Sequence, residues 1–237
     1  RYIRRQRQMC IRDRLKFLDL KTILITGATS GIGLAVAKKL ANEKNHLILC
    51  GRRQQKLDEI FEELSKSANI LSLCFDVSKK EEVNKVLENL PKEFSSIDIL
   101  INNAGNAHGR DTIQEGSLDD WDNMIDSNVK GLLYVSRVVM PKMIEKQSGH
   151  IINIGSLAGR EVYEKGNIYC ATKHAVNAIS KAMRIDLNKT GIKVSEINPG
   201  LVETDFSNVR FKGDNELAEK VYQGYKALEA KDIADII

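Results

Sequence analysis

Apolar runs of strand length alternate with amphipathic helical stretches along most of the chain. Six such runs occur, at 22–27, 46–51, 70–77, 97–104, 150–156 and 192–198. The first run, TILITG, is apolar at consecutive positions, as expected for a strand of a parallel sheet that is covered on both faces. Segments between the runs, such as 33–43, 55–65 and 81–90, have helical periodicity. The pattern therefore predicts alternating βα units.

This alternation predicts one α/β domain, a doubly wound Rossmann-type fold with a parallel sheet and helices on both faces. A length of 237 residues suits one hydrophobic core. Right-handed crossovers place the carboxyl ends of the strands at one edge, where such folds bind ligands. Ser117, followed by two acids, predicts the N-cap of a long helix that runs towards Lys146 and contains Pro141.

The two ends of the chain differ from its middle. Residues 1–18 begin RYIRRQRQMC and lack apolar periodicity, so we predict an extension foreign to a domain at 19–237. The alternative is an Arg-rich targeting presequence, but such segments are Ser-rich and periodically amphipathic. The chain stops inside a helix predicted to start near Lys231. We therefore expect a C-terminally truncated domain whose sheet lacks its last strand.

Charge and composition disfavour several classes of protein. The formal net charge is +4, but residues 1–16 hold seven Arg or Lys against Asp13 alone, which leaves the remainder slightly acidic. Without a basic face interleaved with aromatic residues, we expect no nucleic-acid partner. No apolar run reaches the roughly 18 to 20 residues that span a bilayer, and no signal peptide pattern opens the chain. We therefore expect no membrane partner and a cytoplasmic location.

The cysteines and histidines point away from disulfides and metals. The four cysteines show no C-x-x-C spacing, and Cys50 and Cys74 lie in apolar runs that predict buried thiols. This usage is typical of a reducing compartment. No histidine cluster indicates a metal site, so we expect none.

A glycine-rich sequence, TGATSGIG, follows the first predicted strand directly. Gly27, Gly31 and Gly33 permit a tight turn and let a pyrophosphate approach a helix N-terminus. The second strand ends in CGRR, where NAD-selective proteins present an acid. Because guanidinium groups suit a 2′-phosphate, Arg52, supported by Arg53, predicts NADP(H) as the cofactor. The alternatives are an ordinary strand-to-helix turn and two solvated arginines.

Three further strand ends bear candidate residues. Asp76 and Val77 are placed to touch an adenine, and NNAG at 102–105 allows close backbone approach, although either could be a plain strand terminus. Ser156 ends the fifth run, and Tyr169 and Lys173 share a helix face at spacing i, i+4. A phenol is a poor base near neutral pH unless a cation favours its anion, which Lys173 supplies.

The chain resembles the short-chain dehydrogenase/reductase family through TGATSGIG, NNAG, Ser156, YCATK and the NPG of residues 198–200. The resemblance covers the chain from Lys21 onwards. Within the family it is similar to the NADP-dependent 3-hydroxy acid dehydrogenases, the serine and allo-threonine dehydrogenase group, because of GHIINIGSLAG, GNIYCATK and FSNVRFKGD.

The resemblance implies a role for each matching residue. Tyr169 would be the acid/base, Ser156 would hydrogen-bond the reacting oxygen, and Lys173 would bind the nicotinamide ribose and lower the Tyr169 pKa. Asn128 would hold a water on the proton relay. The implied cofactor-binding residues are Gly27, Thr29, Ser30, Gly31, Ile32, Gly33, Arg52, Arg53, Asp76, Val77, Asn103, Ala104, Gly105, Tyr169, Lys173, Pro199, Gly200, Val202 and Thr204.

The substrate side is expected in a lid at 202–214. A carboxylate-bearing substrate needs a cation, for which Arg210 and Lys212 are candidates, Arg favoured for its forked geometry; the alternative is a solvated lid charge. His108 is expected on a pocket wall. The expected reaction is hydride transfer between NADP(H) and a short 3-hydroxy acid or its semialdehyde or 3-oxo acid.

Other functions remain open at this point. One is reduction of a carbonyl compound or a 3-oxoacyl thioester by the same residues. Another is a non-catalytic NADP(H)-binding module or an inactive fragment. The resemblance also implies a homo-oligomer, a tetramer in intact relatives, assembled through two long helices.

Overall fold

The computed structural model describes residues 20 to 237, in which a six-stranded parallel sheet has helices on both faces. The strands of this sheet are β1 Lys21–Thr26, β2 Asn45–Gly51, β3 Asn69–Cys74, β4 Ile99–Asn102, β5 Gly149–Ile154 and β6 Ile192–Ile197. Their spatial order is β3-β2-β1-β4-β5-β6, and every neighbouring pair is parallel. The predicted doubly wound α/β fold is confirmed. The extension predicted at 1–18 lies outside the described residues.

Helices follow the strands in turn. They are α1 Gly31–Leu40, α2 Gln54–Leu64, α3 Lys80–Glu88, α4 Leu118–Ile125, α5 Leu132–Glu145, α6 Asn167–Asp186, α7 Phe206–Arg210, α8 Asn215–Lys220 and α9 Ala230–Ala234. The long helix predicted from Ser117 is α4 and α5 joined by a π-helical turn, Asp126–Gly131. Ser117 caps it as predicted, because its hydroxyl accepts from the Asp120 amide. Pro141 lies inside α5.

Successive residues of β1 enter two different cores. Leu24 packs on one face of the sheet in the cluster that contains Val135 of α5. Ile23 and Ile25 point to the other face, into the cluster that contains Val36 of α1. Side chains alternate between the faces of a strand, so a strand covered on both sides must be apolar throughout.

The order of the strands reverses between β1 and β4. The chain leaves β1 towards β2 and β3, then returns to β4 on the other side of β1. The loops after β1 and β4 therefore diverge, and they leave a crevice at the carboxyl edge of the sheet. This reversal places the glycine loop and the NNAG segment beside each other.

The segment predicted as a lid has regular structure of its own. β7, Val202–Glu203, pairs in parallel with β8, Leu228–Glu229, in a separate two-stranded sheet, and α7 and α8 lie between them. Sequence analysis did not predict this small sheet, because two-residue strands show no apolar alternation.

One prediction about the cysteines is wrong. Cys50 is buried, as expected, but Cys74 is exposed. Cys74 is the last residue of β3, at the edge of the sheet, where an apolar run no longer guarantees a buried side chain. Between residues 20 and 237, no helix is long and apolar enough to cross a membrane.

Candidate active site

The glycine loop is closed tightly against the end of β4. Gly27 has a φ of +66°, and a Cβ there would lie 2.9 Å from both Ala104 Cα and Asn103 Nδ2. A Cβ on Gly33 would lie 2.3 Å from the Gly27 carbonyl oxygen. Only glycine fits these two positions, because the obstacles include backbone atoms. The N-terminus of α1 is thereby brought to the crevice, where its amides favour an anion.

Thr26 holds the two loops together. Its hydroxyl accepts hydrogen bonds of 3.0 Å from the amides of Asn103 and Ala104. In return, Asn103 Nδ2 donates to the carbonyl oxygens of Thr26 and Gly27, at 2.9 and 3.1 Å. Sequence analysis missed Thr26, since a threonine within an apolar run signals only strand propensity.

The two arginines after β2 have different partners. Arg53 Nη2 donates to Thr29 Oγ1 and Ser30 Oγ, both at 2.8 Å, so its guanidinium lies on the glycine loop. Arg52 instead pairs with Asp76 at 3.5 Å. Burial raises the pKa of Asp76, but hydrogen bonds from Ser78 and the charge of Arg52 outweigh this effect. The pKa of Asp76 is therefore below its usual value.

A cavity of about 310 Å³ opens beside the glycine loop, and Arg53 and Asp205 are among its lining residues. A guanidinium, two hydroxyl groups and the N-terminus of α1 converge there, and these donors fit the phosphorylated ribose of NADP. Val77 lies across the crevice, where a Cβ on Gly131 would come within 2.8 Å of its Cγ2 atom. The residues present therefore fit the predicted cofactor.

Ser156, Tyr169 and Lys173 are brought together by β5 and α6. Ser156 follows β5, and its amide donates to Asn198 Oδ1 at 3.0 Å. Tyr169 and Lys173 lie on successive turns of α6, with Lys173 Nζ 6.0 Å from the centre of the Tyr169 ring. Lys173 Nζ also donates to the Ile154 carbonyl oxygen at 2.9 Å.

The pKa values of the two titratable side chains shift in opposite directions. Burial raises the pKa of Tyr169 to about 12, while the Ser156 hydroxyl and the charge of Arg210 act to lower it. Burial lowers the pKa of Lys173 to about 8, and the charge of Glu196 opposes this shift. Arg210 was expected only as a cation for the substrate, and Glu196 lies outside the motifs that carry the resemblance.

Asn128 lies on the π-helical turn between α4 and α5. Its Nδ2 donates to the Asn106 carbonyl oxygen at 2.8 Å and to Thr172 Oγ1 at 3.1 Å. Its Oδ1 accepts from the Asn106 amide at 2.8 Å. Asn128 thus ties the loop after β4 to the helix that bears Tyr169 and Lys173. Turns of this kind recur at functional sites, and the side chain's role with a water stays a prediction.

The remaining predicted cofactor residues line the start of the lid. The Pro199 carbonyl oxygen accepts from the Leu157 amide at 3.0 Å, which holds the NPG segment against the loop after β5. A Cβ on Gly31 would lie 3.4 Å from the methyl carbon of Thr204. Thr204 therefore faces the glycine loop, whereas Val202 lies in β7. Gly200, between Pro199 and Val202 in the chain, is exposed.

Arg210 reaches across the site from the lid. Its Nε donates to the Gly109 carbonyl oxygen at 3.1 Å and its Nη1 to the Tyr163 hydroxyl at 2.9 Å. Its Cζ lies 5.6 Å from the centre of the Tyr169 ring. Lys212, the other candidate, pairs with Asp120 at 2.9 Å. Of the two lid cations, the structure places Arg210 against Tyr169.

The cavity beside Tyr169 is small. Its volume is about 10 Å³, the room of one water molecule. His108 and Trp121 line it together with Arg210. Burial lowers the pKa of His108, and the charge of Asp120 opposes the shift. The lid is closed over the site in this conformation.

The sequence and the fold are matched by known proteins. The short chain dehydrogenase family matches residues 21–215, most of the chain. The chain is a member of the short chain dehydrogenase family. The chain is 45% identical over 216 residues to the NADP-dependent 3-hydroxy acid dehydrogenase of Escherichia coli. The aligned residues make up 91% of the chain and 86% of that relative. The chain is 46% identical over 223 residues to the enzyme of the same name from Schizosaccharomyces pombe, covering 93% of the chain and 86% of the relative.

Solved structures give the same result. The closed form of serine dehydrogenase complexed with NADP+ superposes with a TM-score of 0.87 at 45% identity, over 90% of this short chain dehydrogenase and 86% of that chain. Serine dehydrogenase from Escherichia coli superposes with a TM-score of 0.77 at 39% identity, over 90% of this chain and 88% of that chain. Within residues 20–237, no group of three or more His, Cys, Asp or Glu side chains is arranged to hold a metal ion.

Proposed function

We propose that the chain is an NADP(H)-dependent oxidoreductase for short 3-hydroxy acids of the serine, allo-threonine or 3-hydroxypropionate type and for the matching semialdehydes or 3-oxo acids. The supporting observation is the guanidinium of Arg210, whose Cζ lies 5.6 Å from the Tyr169 ring. A cation at that distance suits a substrate whose carboxylate lies close to the reacting carbon. The names of the relatives agree with this substrate class.

In the proposed reaction, the chain's residues position and move one proton. When bound, the nicotinamide supplies or accepts the hydride. Tyr169 Oη takes the hydroxyl proton during oxidation and returns it during reduction, while Ser156 Oγ holds the reacting oxygen by a hydrogen bond. Lys173, anchored on the Ile154 carbonyl oxygen, would bind the ribose, while the Ser156 hydroxyl and the charge of Arg210 favour the Tyr169 anion. Asn128 fixes α6 relative to the loop after β4.

On the substrate side, Arg210 would bind the carboxylate and Lys212 would not. The Arg210 guanidinium can form a two-point interaction with a carboxylate, and the hydroxyl of Tyr163 fixes one of its ends. The Lys212 ammonium is already paired with Asp120. Intact Ser156, Tyr169 and Lys173 argue against a non-catalytic binding module.

The deciding experiment follows the absorbance of reduced nicotinamide with L-serine, allo-threonine and 3-hydroxypropionate. Each acid is offered with NADP and with NAD, and the chain is compared with its Tyr169→Phe variant. We expect NADP-dependent turnover that drops by about 100-fold or more in the variant, while NADPH binding is retained. Turnover of neutral ketones but of none of these acids would reject the substrate class and keep the dehydrogenase.

We also propose that the chain forms a homotetramer and works in the cytoplasm. Leu133 and Ile144 on α5 and Ile125 on α4 are large apolar side chains on the outer surface of the joined helices, more than a third exposed. Apolar patches of this kind favour self-association. The free cysteines of the described residues, Cys50, Cys74 and Cys170, suit a reducing compartment.

A further inference from the structure

A carboxylate is buried behind Ser156 and Lys173. It belongs to Glu196 of β6, which pairs with β5, the strand that Ser156 follows. Only 3% of the Glu196 side chain is exposed. Removing a charged carboxylate from water is costly unless hydrogen bonds and an opposite charge compensate for it. The groups that offset the cost of burying the Glu196 carboxylate therefore show which side chains its charge stabilises.

The hydrogen bonds come from the helix that bears the catalytic pair. Asn177 Nδ2 lies 3.0 Å from both carboxylate oxygens of Glu196. Asn177 follows Lys173 by one turn of α6, so it shares the face of the helix that points to the site. Arg160, which follows the short helix Leu157–Gly159, approaches with Nη2 at 4.0 Å.

The carboxylate also lies on the backbone that holds the catalytic side chains. A Cβ on Gly155 would come within 2.9 Å of Glu196 Oε1 and 2.2 Å of Asn198 Oδ1, so the two side chains pack closely on this glycine. Gly155 joins Ile154, whose carbonyl accepts from Lys173, to Ser156, whose amide donates to Asn198. Glu196 therefore packs directly against the segment that anchors Lys173 and places Ser156.

We propose that Glu196 is a positioning residue for the reaction: held by Asn177 and packed on Gly155, its carboxylate is the counter-charge that keeps the buried Lys173 a cation. Lys173 is 8% exposed, and its pKa, lowered by burial, is raised by Glu196. Arg160, in the loop before α6, has its Nη2 4.0 Å from the Glu196 carboxylate, and Lys173 of α6 is near enough for the charge of Glu196 to raise its pKa. The kinetic consequence rests on the proposed function, whereas the electrostatic coupling does not.

A double-mutant cycle of unfolding tests the coupling without any substrate. It uses the full chain, Glu196→Gln, Lys173→Met and the double variant, each unfolded in urea at several pH values. At about pH 7 we expect the effect of the double variant on the unfolding equilibrium constant to differ by about tenfold from the product of the two single effects. This factor should fall towards one as the pH rises past the pKa of Lys173, about 8. A coupling factor that stays constant with pH, or equals one throughout, would overturn the proposal.

A second readout measures NADP-dependent oxidation of L-serine. Without the carboxylate, the pKa of Lys173 should fall below about 8, so Glu196→Gln should lose more activity at about pH 7.5 than at about pH 6. Glu196→Asp, which keeps the charge, should restore part of the difference. Equal losses at the two pH values, or no restoration by Asp, would mean that Glu196 has only a structural role.

Ser180→Ala is the matched control. Ser180 is fully buried on α6 and accepts a hydrogen bond from Asn153, in the strand β5 that Glu196 faces. The variant should be less stable but keep the pH dependence of the parent. If the parent oxidises no L-serine, the substrate assignment fails, and the unfolding cycle still decides the role of Glu196.

Discussion

Arg52 and Arg53 are neighbours in the sequence but face different partners. Arg53 bonds to both hydroxyl groups of the glycine loop, at Thr29 and Ser30, whereas Arg52 is 62% exposed and reaches Asp76. The sequence pattern favoured Arg52 as the ligand of the 2′-phosphate, with Arg53 in support. The contacts of the structure favour Arg53 instead as the main ligand of the 2′-phosphate.

Single alanine variants separate the two arginines. A hydrogen bond to a charged group contributes about 1.5 to 3 kcal/mol, so Arg53→Ala should raise the KM for NADP by about tenfold to a hundredfold. The KM for NAD should change little, because NAD lacks the phosphate. Arg52→Ala is the control, with a smaller effect on the KM for NADP. An equal or larger effect from Arg52→Ala would reverse this assignment.

Lys173 makes the stability of the fold depend on pH. Its pKa is lowered from 10.5 to about 8 in the folded chain. Between these pH values the unfolded chain holds one proton more than the folded chain, so the free energy of unfolding rises with pH. Below about pH 8 both forms are protonated, and this contribution is constant.

Comparison with Lys173→Met isolates this contribution, because all other groups titrate in both proteins. The unfolding free energy of the parent minus that of the variant should increase by at most about 3 kcal/mol between pH 8 and 10.5. Urea denaturation across this range measures it. A difference that stays flat or decreases with pH would show that the Lys173 pKa is not lowered.

At the scale of elements, the closed lid is joined to the loop after β4 by its last residues. The Gly109 amide donates to the Arg210 carbonyl oxygen at 3.0 Å, and the Arg210 side chain returns a bond to the Gly109 carbonyl oxygen. The ion pair of Lys212 with Asp120 adds a second link, to α4. These contacts of the lid hold the guanidinium of Arg210 at the site.

Tyr163→Phe tests how the lid cation is oriented. It removes the hydroxyl that accepts from Arg210 Nη1 but keeps the ring against the guanidinium. We expect the KM for L-serine to rise by about fivefold, the equivalent of one hydrogen bond, with a smaller change in kcat. Tyr225→Phe, at a tyrosine that is 71% exposed, is the matched control. A loss confined to kcat would place Tyr163 in the chemical step instead.

At the scale of the whole molecule, the sheet separates two cores, and its central strands serve both. Leu100 of β4 is fully buried, whereas Leu118, at the start of α4, is 70% exposed. Leu100→Ala should lower the free energy of unfolding by about 2 to 5 kcal/mol through lost burial and the cavity left behind. Leu118→Ala, the same change at the surface, should cost less than about 1 kcal/mol. Urea unfolding of both variants checks this, and equal losses would contradict the two-core arrangement.

The proposed self-association is tested by light scattering. Leu133→Glu places a charge on the outer face of α5, where 40% of the residue is exposed, and should reduce the measured mass below that of the parent. Ile113→Glu is the control, because Ile113 is 61% exposed in the loop before α4. A monomeric parent would reject the tetramer outright.

The sequence by itself determined the six strands of the main sheet and the main helices between them, but not the spatial order of the strands. Continuous apolar runs such as that of β1 can be satisfied only where both faces of a strand are covered, so the α/β class followed from local pattern. Gly27, Gly33, Tyr169 and Lys173 were also visible, because their spacing relative to predicted strands has a chemical meaning. The two-residue strands β7 and β8 left no such pattern.

Only the tertiary structure decided which charges act on which groups. Arg53 rather than Arg52 meets the glycine loop, Arg210 rather than Lys212 meets Tyr169, and Glu196 meets Asn177 and Gly155. Residues far apart in the chain form these pairs, and the strength of each pair depends on burial, because burial removes the water that screens charges. No local spacing records those distances, so the sequence identified the chemical groups and the fold assigned their partners.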